Sequence, residues 1–218
     1  MKIAFMVGEF PSLSETFILN QITGLIDQGY EIDIYASKKG NNTKVHSDIK
    51  KYNLLDNTYY ANMPSNRFVR ILTAVKLVLL NIHKSPLKIL NSFNFLKYKR
   101  RSLSLELFYK LLPFLNNKSK DYDLVHCHFG PNGNIAVNLR DIGAFETKIS
   151  TVFHGYDMST YVDKNGTNVY NELFEKGDIF LPISKRWKNK LMNLGCKEEK
   201  IKVHHMGVDT EKFKFRKR

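Results

Sequence analysis

Cysteine is nearly absent from this sequence. Its 218 residues include two cysteines, Cys127 and Cys196, which are too few for the disulfide framework of a small secreted domain. The first residues, Met1 and Lys2, run directly into the apolar stretch 3–7, and no secretory signal pattern precedes it. We therefore expect a cytoplasmic protein in a reducing environment.

Acidic residues are scarce relative to basic ones. The chain has 21 aspartates and glutamates against 34 lysines and arginines, which gives a formal net charge of +13 at pH 7. This excess favours a negatively charged partner, such as nucleic acid, an anionic membrane surface or a phosphorylated ligand. A hydrophobic content of 43% indicates a folded chain, and one domain is expected because single cores commonly take about 100–200 residues.

Residues 66–115, which we call the basic helical region, lack an apolar run that is long enough to cross a membrane. Arg70 and Lys76 interrupt the pattern well before the ~18–20 residues that a span requires. One acid, Glu106, accompanies ten basic residues. The helical spacing nevertheless predicts an apolar stripe, which consists of Phe68, Ile71, Leu72, Val75, Val78, Leu79 and Ile82.

Two interpretations of the basic helical region stay open. In the first, it lies in the plane of an anionic membrane. The membrane-surface residues are then Arg67, Arg70, Lys76, Lys97, Lys99, Arg100 and Arg101. In the second, the stripe packs on a sheet and only the charges face solvent. Nucleic acid is disfavoured as the partner, because no binding motif or base-stacking pattern accompanies the charge.

Outside this region, short apolar runs alternate with helical patterns. The predicted strands are 2–7, 31–36, 124–128, 149–153, 179–181 and 200–204. The predicted helices lie between Ser12 and Gly29, at about 134–142 and at 184–193, while 38–62 predicts loops and short elements. Parallel strands need helical crossovers. We therefore predict an α/β fold, a Rossmann-like doubly wound parallel sheet with a basic helical insertion.

Glycine is sparse where a dinucleotide would bind. The predicted loop after the first strand has one glycine, Gly8, rather than the Gly-x-Gly-x-x-Gly that lets the backbone approach a pyrophosphate. This disfavours a nicotinamide enzyme. The following helix amino terminus can still receive an anion. Ser12 and Glu15 equally fit a capping box, which requires no ligand.

Three histidines lie at the ends of predicted strands. His126 and His128 are two positions apart, so their imidazoles project on the same side of one strand. Two ligands without a third are a weak metal site, so we predict no metal, one packed structural histidine and one that faces a cleft. His154 follows the next strand and precedes Gly155, and we predict that it hydrogen-bonds a hydroxyl or developing charge. A bond within the loop is the alternative.

Three segments together resemble family 4 glycosyltransferases, particularly those of colanic acid and exopolysaccharide synthesis. They are 10–17 (Phe-Pro-Ser-Leu-Ser-Glu-Thr-Phe), 123–129 (Asp-Leu-Val-His-Cys-His-Phe) and 153–157 (Phe-His-Gly-Tyr-Asp). Residues 181–184, 194–196 and 200–213 resemble the passage from that family's first domain into its second. The resemblance covers the chain apart from about 38–120.

The resemblance implies a GT-B fold, in which two Rossmann-like domains enclose a cleft, and retaining transfer of a sugar from a nucleotide-sugar to an acceptor hydroxyl. No cofactor or metal is implied; the nucleotide-sugar is a co-substrate. Residues 1–205 would form the amino-terminal, acceptor-side domain, and 206–218 the start of the linker to a carboxyl-terminal donor-binding domain. His154 would be catalytic, beside the donor sugar. The expected acceptor- and donor-binding residues are Gly8, Glu9, Phe10, Ser14, Glu15, Thr16, His128, Gly155, Tyr156 and Asp157.

The sequence departs from the family pattern because it ends at Arg218, before the paired glutamates and leaving-group cations of a second domain. We expect little activity from this chain alone, since electrostatic stabilisation is a large term in catalysis. A fragment and one half of a split enzyme, with a carboxyl-terminal partner, both fit.

The expected process is capsule, exopolysaccharide or lipopolysaccharide synthesis on a glycan or lipid-linked acceptor at the inner membrane face. The alternatives are an acceptor or lipid-headgroup binding module and a nucleic-acid-binding protein.

Overall fold

A computed structural model describes residues 1–40, 46–116 and 121–207. These residues form a six-stranded sheet with the order β3-β2-β1-β4-β5-β6, and every neighbouring pair is parallel. This doubly wound order confirms the predicted α/β, Rossmann-like class. The strands are β1 (Lys2–Phe10), β2 (Glu31–Lys39), β3 (Thr58–Tyr60), β4 (Leu124–His128), β5 (Lys148–Phe153) and β6 (Ile179–Pro182).

Helices connect the strands and cover both faces of the sheet. Along β1, Ala4 and Met6 belong to one buried apolar cluster, and Phe5 and Val7 belong to another on the opposite face. The alternation follows from the pleat of the strand. The helices are α1 (Thr16–Asp27), α2 (Ser47–Lys51), α3 (Arg67–Asn81), α4 (Pro86–Ser92), α5 (Phe95–Tyr98), α6 (Arg100–Leu103), α7 (Glu106–Asn116), α8 (Gly130–Ile142), α9 (Thr160–Asn165), α10 (Asn171–Lys176) and α11 (Lys185–Asn193).

The segment after β1 differs from its prediction. The strand continues to Phe10, because the parallel pairing with β2 extends through Glu9 opposite Lys38. The helix α1 begins at Thr16, and its N-cap residue Glu15 makes no side-chain cap hydrogen bond. The predicted capping box is therefore wrong.

The apolar stripe of α3 does not pack on the sheet. Five of its residues are between 55% and 72% exposed: Phe68, Ile71, Leu72, Val75 and Leu79. Val78 and Ile82 pack partly against the core, while Ala74 and Asn81 on the inner side are buried. The face towards the core is instead filled by α7, through Leu107, Phe108 and Leu111 among others. The sheet-packing interpretation therefore fails for most of the stripe.

Two further boundaries differ from the sequence pattern. Helix α8 begins at Gly130 rather than near residue 134, because its glycine-rich first turn hides the helical signal. The predicted strand 200–204 is reduced to one bridge between Phe180 and Ile201, after a 3-10 turn at Glu198–Lys200. The sheet among the described residues therefore ends at β6.

Candidate functional site

The candidate site lies where the strand order reverses, between β1 and β4. Ligands of open parallel sheets bind beyond the carboxyl ends of the strands at this point. Here β4 ends at His128 and β5 ends immediately before His154. Helix α1 follows β1 and brings the Phe17 ring to 4.7 Å from the His154 ring, measured between centroids.

The contacts of His126 indicate which of its ring nitrogens carries the hydrogen. The Gln21 amide Nε2 lies 3.2 Å from His126 Nε2, and His126 Nδ1 lies 2.7 Å from Ser150 Oγ. An amide nitrogen only donates, so His126 Nε2 accepts and Nδ1–H donates to the serine. Burial lowers the pKa of His126 to about 4, so this imidazole is neutral at pH 7.

The buried ring of His128 contacts the ring of His154. His128 Nδ1 lies 3.1 Å from His154 Nε2, and their rings stack with centroids 5.3 Å apart. His128 is 1% exposed and its Nε2 has no partner among the described residues. A bare lone pair is cheaper to bury than an unpaired N–H, so we assign the shared hydrogen to His128 Nδ1. The expectation that one of the pair faces a cleft is wrong, because His126 is also buried.

This assignment fixes what His154 can do. With Nε2 accepting from His128, the neutral imidazole of His154 carries its hydrogen on Nδ1, which has no hydrogen-bond partner among the described residues. Burial lowers the pKa of His154 to about 4. Phe17 and Phe129 contact its ring. His154 can therefore donate a hydrogen bond to an oxygen without carrying a positive charge.

Asp157 is committed to the backbone around the site. Its Oδ1 accepts from the His154 N–H and its Oδ2 accepts from the Gly130 N–H, both at 3.0 Å. The side chain is fully buried, and this desolvation raises the pKa of Asp157 to about 6 although backbone donors act in the opposite direction. The carboxylate thus joins the loop after β5 to the start of α8. The structure places it as a support rather than on a ligand surface.

The other predicted binding residues are distributed around this centre. Phe10 is buried in the core, with its carbonyl accepting from Tyr60 Oη at 3.1 Å. Gly155 is partly buried beside the Trp187 ring, whereas Tyr156 is 57% exposed. Exposed positions beside α1 are Gly8, Glu9, Ser14 and Thr16.

Glu15 is partly buried at the start of α1. Desolvation raises its pKa, and the nearby charge of Glu9 adds to the rise. The two carboxylates therefore lie near each other, and both line a small pocket between the end of β1 and the start of α1.

An open cavity of about 560 Å³ lies beside α1. Phe17 and Gln21 line it, and these are the residues that contact His154 and His126. Polar groups from Lys51, Tyr52 and His204 line other parts of it. Sequence reasoning missed Phe17 and Gln21 as site residues because their helical positions read as an ordinary packed face. The cavity can take a polar ligand that reaches towards the histidines.

Metal ligation finds no support in residues 1–40, 46–116 and 121–207. No group of three histidines, cysteines or acids there could hold a metal ion. The described histidines of the site offer hydrogen bonding by neutral imidazoles.

The predicted membrane-surface residues fall into two sets. Arg67, Arg70, Lys99 and Arg100 line one cavity between α3, α5 and α6. Lys76 is exposed on α3. In contrast, Lys97 pairs with Asp141 at 3.2 Å, and Arg101 donates to Asn138 Oδ1 at 2.9 Å, so both face α8. In the described part of the chain, no helix has the length and apolar character of a membrane span.

A family model described as Glycosyltransferase Family 4 matches residues 14–212. The chain belongs to glycosyltransferase family 4. WcaL of Salmonella typhimurium, which is named for colanic acid biosynthesis, is 37% identical to this family 4 chain over 220 residues, covering 99% of the chain and 53% of WcaL. The amylovoran biosynthesis glycosyltransferase AmsK of Erwinia amylovora is 35% identical over 225 residues, covering 100% and 53%.

The family 4 chain also resembles a solved structure. Anabaena Alr3699/HepE, determined in complex with UDP and glucose, superposes with a TM-score of 0.58 at 13% identity, covering 97% of this chain and 46% of HepE. At this identity the likeness concerns the fold, which is the Rossmann-like fold of GT-B glycosyltransferases. The family 4 chain spans about half the length of the curated relatives that it matches.

Proposed function

We propose that this chain is the acceptor-side, amino-terminal part of a retaining GT-B enzyme that transfers a sugar from a nucleotide-sugar during bacterial surface polysaccharide synthesis. The observation that carries the proposal is the neutral His154, held by His128 at the switch point of the sheet. The names of WcaL and AmsK support the polysaccharide context. The complex of HepE with UDP and glucose supports a nucleotide-sugar ligand.

His154 would act as a hydrogen-bond donor. Its Nδ1–H would bind a sugar oxygen in the cleft, and the bond would strengthen as negative charge develops on that oxygen. His128 and Asp157 would fix the imidazole and its backbone before the substrate arrives. Because the imidazole is already neutral, no proton has to be lost for it to bind at pH 7.

The first experiment asks whether the chain binds and turns over a sugar donor. The purified chain is titrated by calorimetry with UDP- and GDP-sugars, alone and mixed with a candidate carboxyl-terminal domain, and transfer is then assayed. We expect binding and transfer only in the mixture. No binding and no transfer in any sample would contradict the proposal.

A matched pair of histidine variants tests the site itself. His154→Ala should lower transfer in the active mixture by about 100-fold or more, as the loss of one preorganised donor does in other enzymes. The control is His83→Ala, since His83 is an exposed histidine beyond the end of α3. Equal activity of the two variants would exclude His154 from the reaction.

We also propose that the basic helical region docks on the anionic inner face of the plasma membrane. The supporting observation is the exposed apolar stripe of α3. Large apolar side chains are also exposed on α4 to α6, namely Leu87, Leu90, Phe95, Leu96 and Leu103. Exposed apolar patches rimmed by polar residues mark interaction sites. The excess of lysine and arginine around this one matches an anionic lipid surface.

Vesicle flotation tests this docking surface. The chain should float with vesicles that contain phosphatidylglycerol and bind much more weakly to vesicles of phosphatidylcholine alone. Leu72→Ser with Leu79→Ser should strongly weaken flotation, whereas Leu55→Ser, at an exposed apolar position outside the region, should not. Self-association of the wild-type chain through this face, detected by light scattering and lost in the double variant, would instead assign the face to a second copy.

A further inference from the structure

A cavity of about 740 Å³ lies between α3, α5 and α6, outside the histidine site. Four cationic residues line it, and no acidic residue does. The cations are Arg67, Arg70, Lys99 and Arg100, and the apolar side chains Phe95 and Leu103 lie among them. We call this space the basic pocket.

The positive charge of the basic pocket is not neutralised by any acid in the part of the chain that the structure describes. No acid among the described residues forms an ion pair with any of its four cations. Like charges that lie close together repel, so an uncompensated group of this kind favours an anionic ligand. Lys97 and Arg101 instead contact Asp141 and Asn138 of α8, so neither of these two charges lines the pocket.

Arg70 is fixed in position before any ligand binds. Its guanidinium donates to three backbone carbonyls, those of Pro64 at 2.8 Å, Ser65 at 3.0 Å and Ser104 at 3.2 Å. Carbonyl acceptors hold the group in place but leave its full charge. A fixed cation loses little side-chain entropy when an anion arrives.

Lys99 shows that the backbone at the pocket is strained. It adopts φ 48° and ψ −125°, a left-handed conformation that glycine takes more easily than lysine. The chain nevertheless places a charged side chain at this junction between α5 and α6. Such outliers persist where the surrounding structure holds them, and they cluster at functional sites.

The basic pocket opens beside the docking surface. Phe95 and Leu103 are 57% and 72% exposed, and Ile71 of the apolar stripe lies one helical turn from Arg67 on α3. A ligand in the pocket would therefore have an anionic group among the cations and an apolar part against exposed side chains. A lipid with a phosphate group has this shape.

We propose that the basic pocket binds the phosphate group of a membrane lipid, with preference for a phosphate monoester or diphosphate over the singly charged diester of common phospholipids. The inference rests on the docking of the basic helical region proposed above. Arginine recognises phosphate through paired N–H donors, and a doubly charged phosphate offers more charge to four cations than a diester does. The lipid carrier of the acceptor and a phospholipid both supply this chemistry.

The test compares two lipids and two charge-removing variants. Binding is measured to vesicles containing phosphatidic acid, a monoester, and to vesicles containing phosphatidylglycerol, a diester, at matched surface potential. The wild-type chain should prefer phosphatidic acid. Arg100→Gln should abolish this preference, with a loss of about tenfold on phosphatidic acid beyond that on phosphatidylglycerol. Lys76→Gln removes an exposed charge of α3 outside the pocket and should weaken both equally, by about fivefold at most.

A short-chain phosphatidic acid below its micelle concentration separates the pocket from the docking surface. Calorimetric binding that Arg100→Gln weakens would support the pocket even if vesicles are not bound. Vesicle binding without any monoester preference, together with no binding of the soluble lipid, would overturn the pocket and leave the docking proposal standing.

A polyprenyl phosphate that displaces phosphatidic acid would assign the site to the acceptor carrier. Displacement by inorganic phosphate at equal concentration would show that free phosphate, rather than a lipid, is recognised.

Discussion

At the scale of single residues, Gly133 lies at a close approach of α8 to the sheet. A methyl group at this position would lie 2.5 Å from Thr151 Oγ1 and 2.9 Å from its Cγ2. Gly133→Ala should therefore destabilise the fold by about 1–3 kcal/mol, despite the higher helix propensity of alanine. Urea denaturation measures the change.

Gly24 provides the matched control on α1. Nothing lies within 4 Å of a methyl group built there, so Gly24→Ala should stabilise the chain by up to about 1 kcal/mol. The two substitutions are chemically identical and differ only in their surroundings. Shifts of the same sign would mean that α8 does not pack against β5 as described.

Replacement of Lys99 by glycine should change stability and ligand binding in opposite directions. Because glycine adopts positive φ without the steric cost of a side chain, Lys99→Gly should raise the free energy of unfolding by about 1 kcal/mol. The same change removes one cation of the basic pocket and should weaken binding of phosphatidic acid. Urea denaturation and vesicle binding on one preparation test both effects. A variant that shows no gain in stability and no loss of affinity would contradict both roles.

The residue types of the candidate site were more predictable than their surroundings. The sequence placed His154 correctly at the end of an apolar strand, since β5 is marked by its composition. It did not reveal that His128 is covered, because the ring that covers that side, Phe17, comes from a helix more than 100 residues away in the chain. Period-two alternation shows which side chains share a face of a strand but not what lies on that face.

At the scale of elements, β4 and β5 bring together three histidines that stay neutral. Burial lowers the pKa of His126 and His154 to about 4 and that of His128 well below its ordinary range. In the unfolded chain these groups titrate near pH 6.5. Between these values the unfolded state binds protons that the folded state does not, so stability is present above pH 6.5 and is lost as the pH falls towards 4.

Other groups modify the size of this effect. Asp157 acts in the opposite direction, since its folded pKa of about 6 lies above that of an unfolded aspartate, and protonation below pH 6 favours the folded state. Its contribution offsets about 1 kcal/mol of the histidine term at pH 5.5. We therefore expect the free energy of unfolding to fall by about 3 kcal/mol between pH 7 and pH 5.5.

Urea denaturation at the two pH values, with one variant of each kind, measures this dependence. His126→Gln should make it shallower, because the unfolded chain then has one fewer histidine that binds a proton while its folded counterpart stays neutral. His83→Gln, at an exposed position, is the control and should leave the dependence nearly as it is. A stability that does not change over this range in the wild-type chain would show that the three imidazoles are not held neutral by the fold.

The helical elements show where periodicity stops being informative. The spacing of α3 correctly predicts an apolar stripe, but a stripe does not show whether protein or lipid covers it. Helix α7 is also amphipathic and occupies the face of the core that α3 would otherwise have covered. Competition between two such helices is settled by tertiary packing, which depends on chain connections that a local pattern does not contain.

At the scale of the whole molecule, the alternation of strands and helices was enough to predict the doubly wound sheet. Parallel neighbours require crossovers, and crossovers are right-handed, so few topologies remain once the strands are placed. The sheet order then fixes the switch point, and with it the location of the candidate site. The basic helical region follows β3 in the chain and leads into β4, so it is added to the fold without interrupting the sheet.

The net charge of +13 acts on the molecule as a whole and predicts how membrane binding responds to salt. Raising the ionic strength from about 0.1 M to 1 M shortens the screening length from about 10 Å to 3 Å, so attraction to an anionic surface weakens. Binding to phosphatidylglycerol vesicles should therefore fall by at least about tenfold over this range. It should not vanish, because contacts of the apolar stripe are not screened.

The double variant Leu72→Ser with Leu79→Ser separates the two contributions, since it keeps every charge. It should bind weakly at low salt and not at all at high salt. Salt-independent binding of the wild-type chain would contradict the electrostatic contribution, and equal binding of both proteins at high salt would contradict insertion of the stripe. DNA is a further competitor, because its binding to basic proteins is driven by counterion release and needs no apolar face. If DNA displaces the vesicles at low salt and its own binding disappears at high salt, the net charge alone would explain the binding to both.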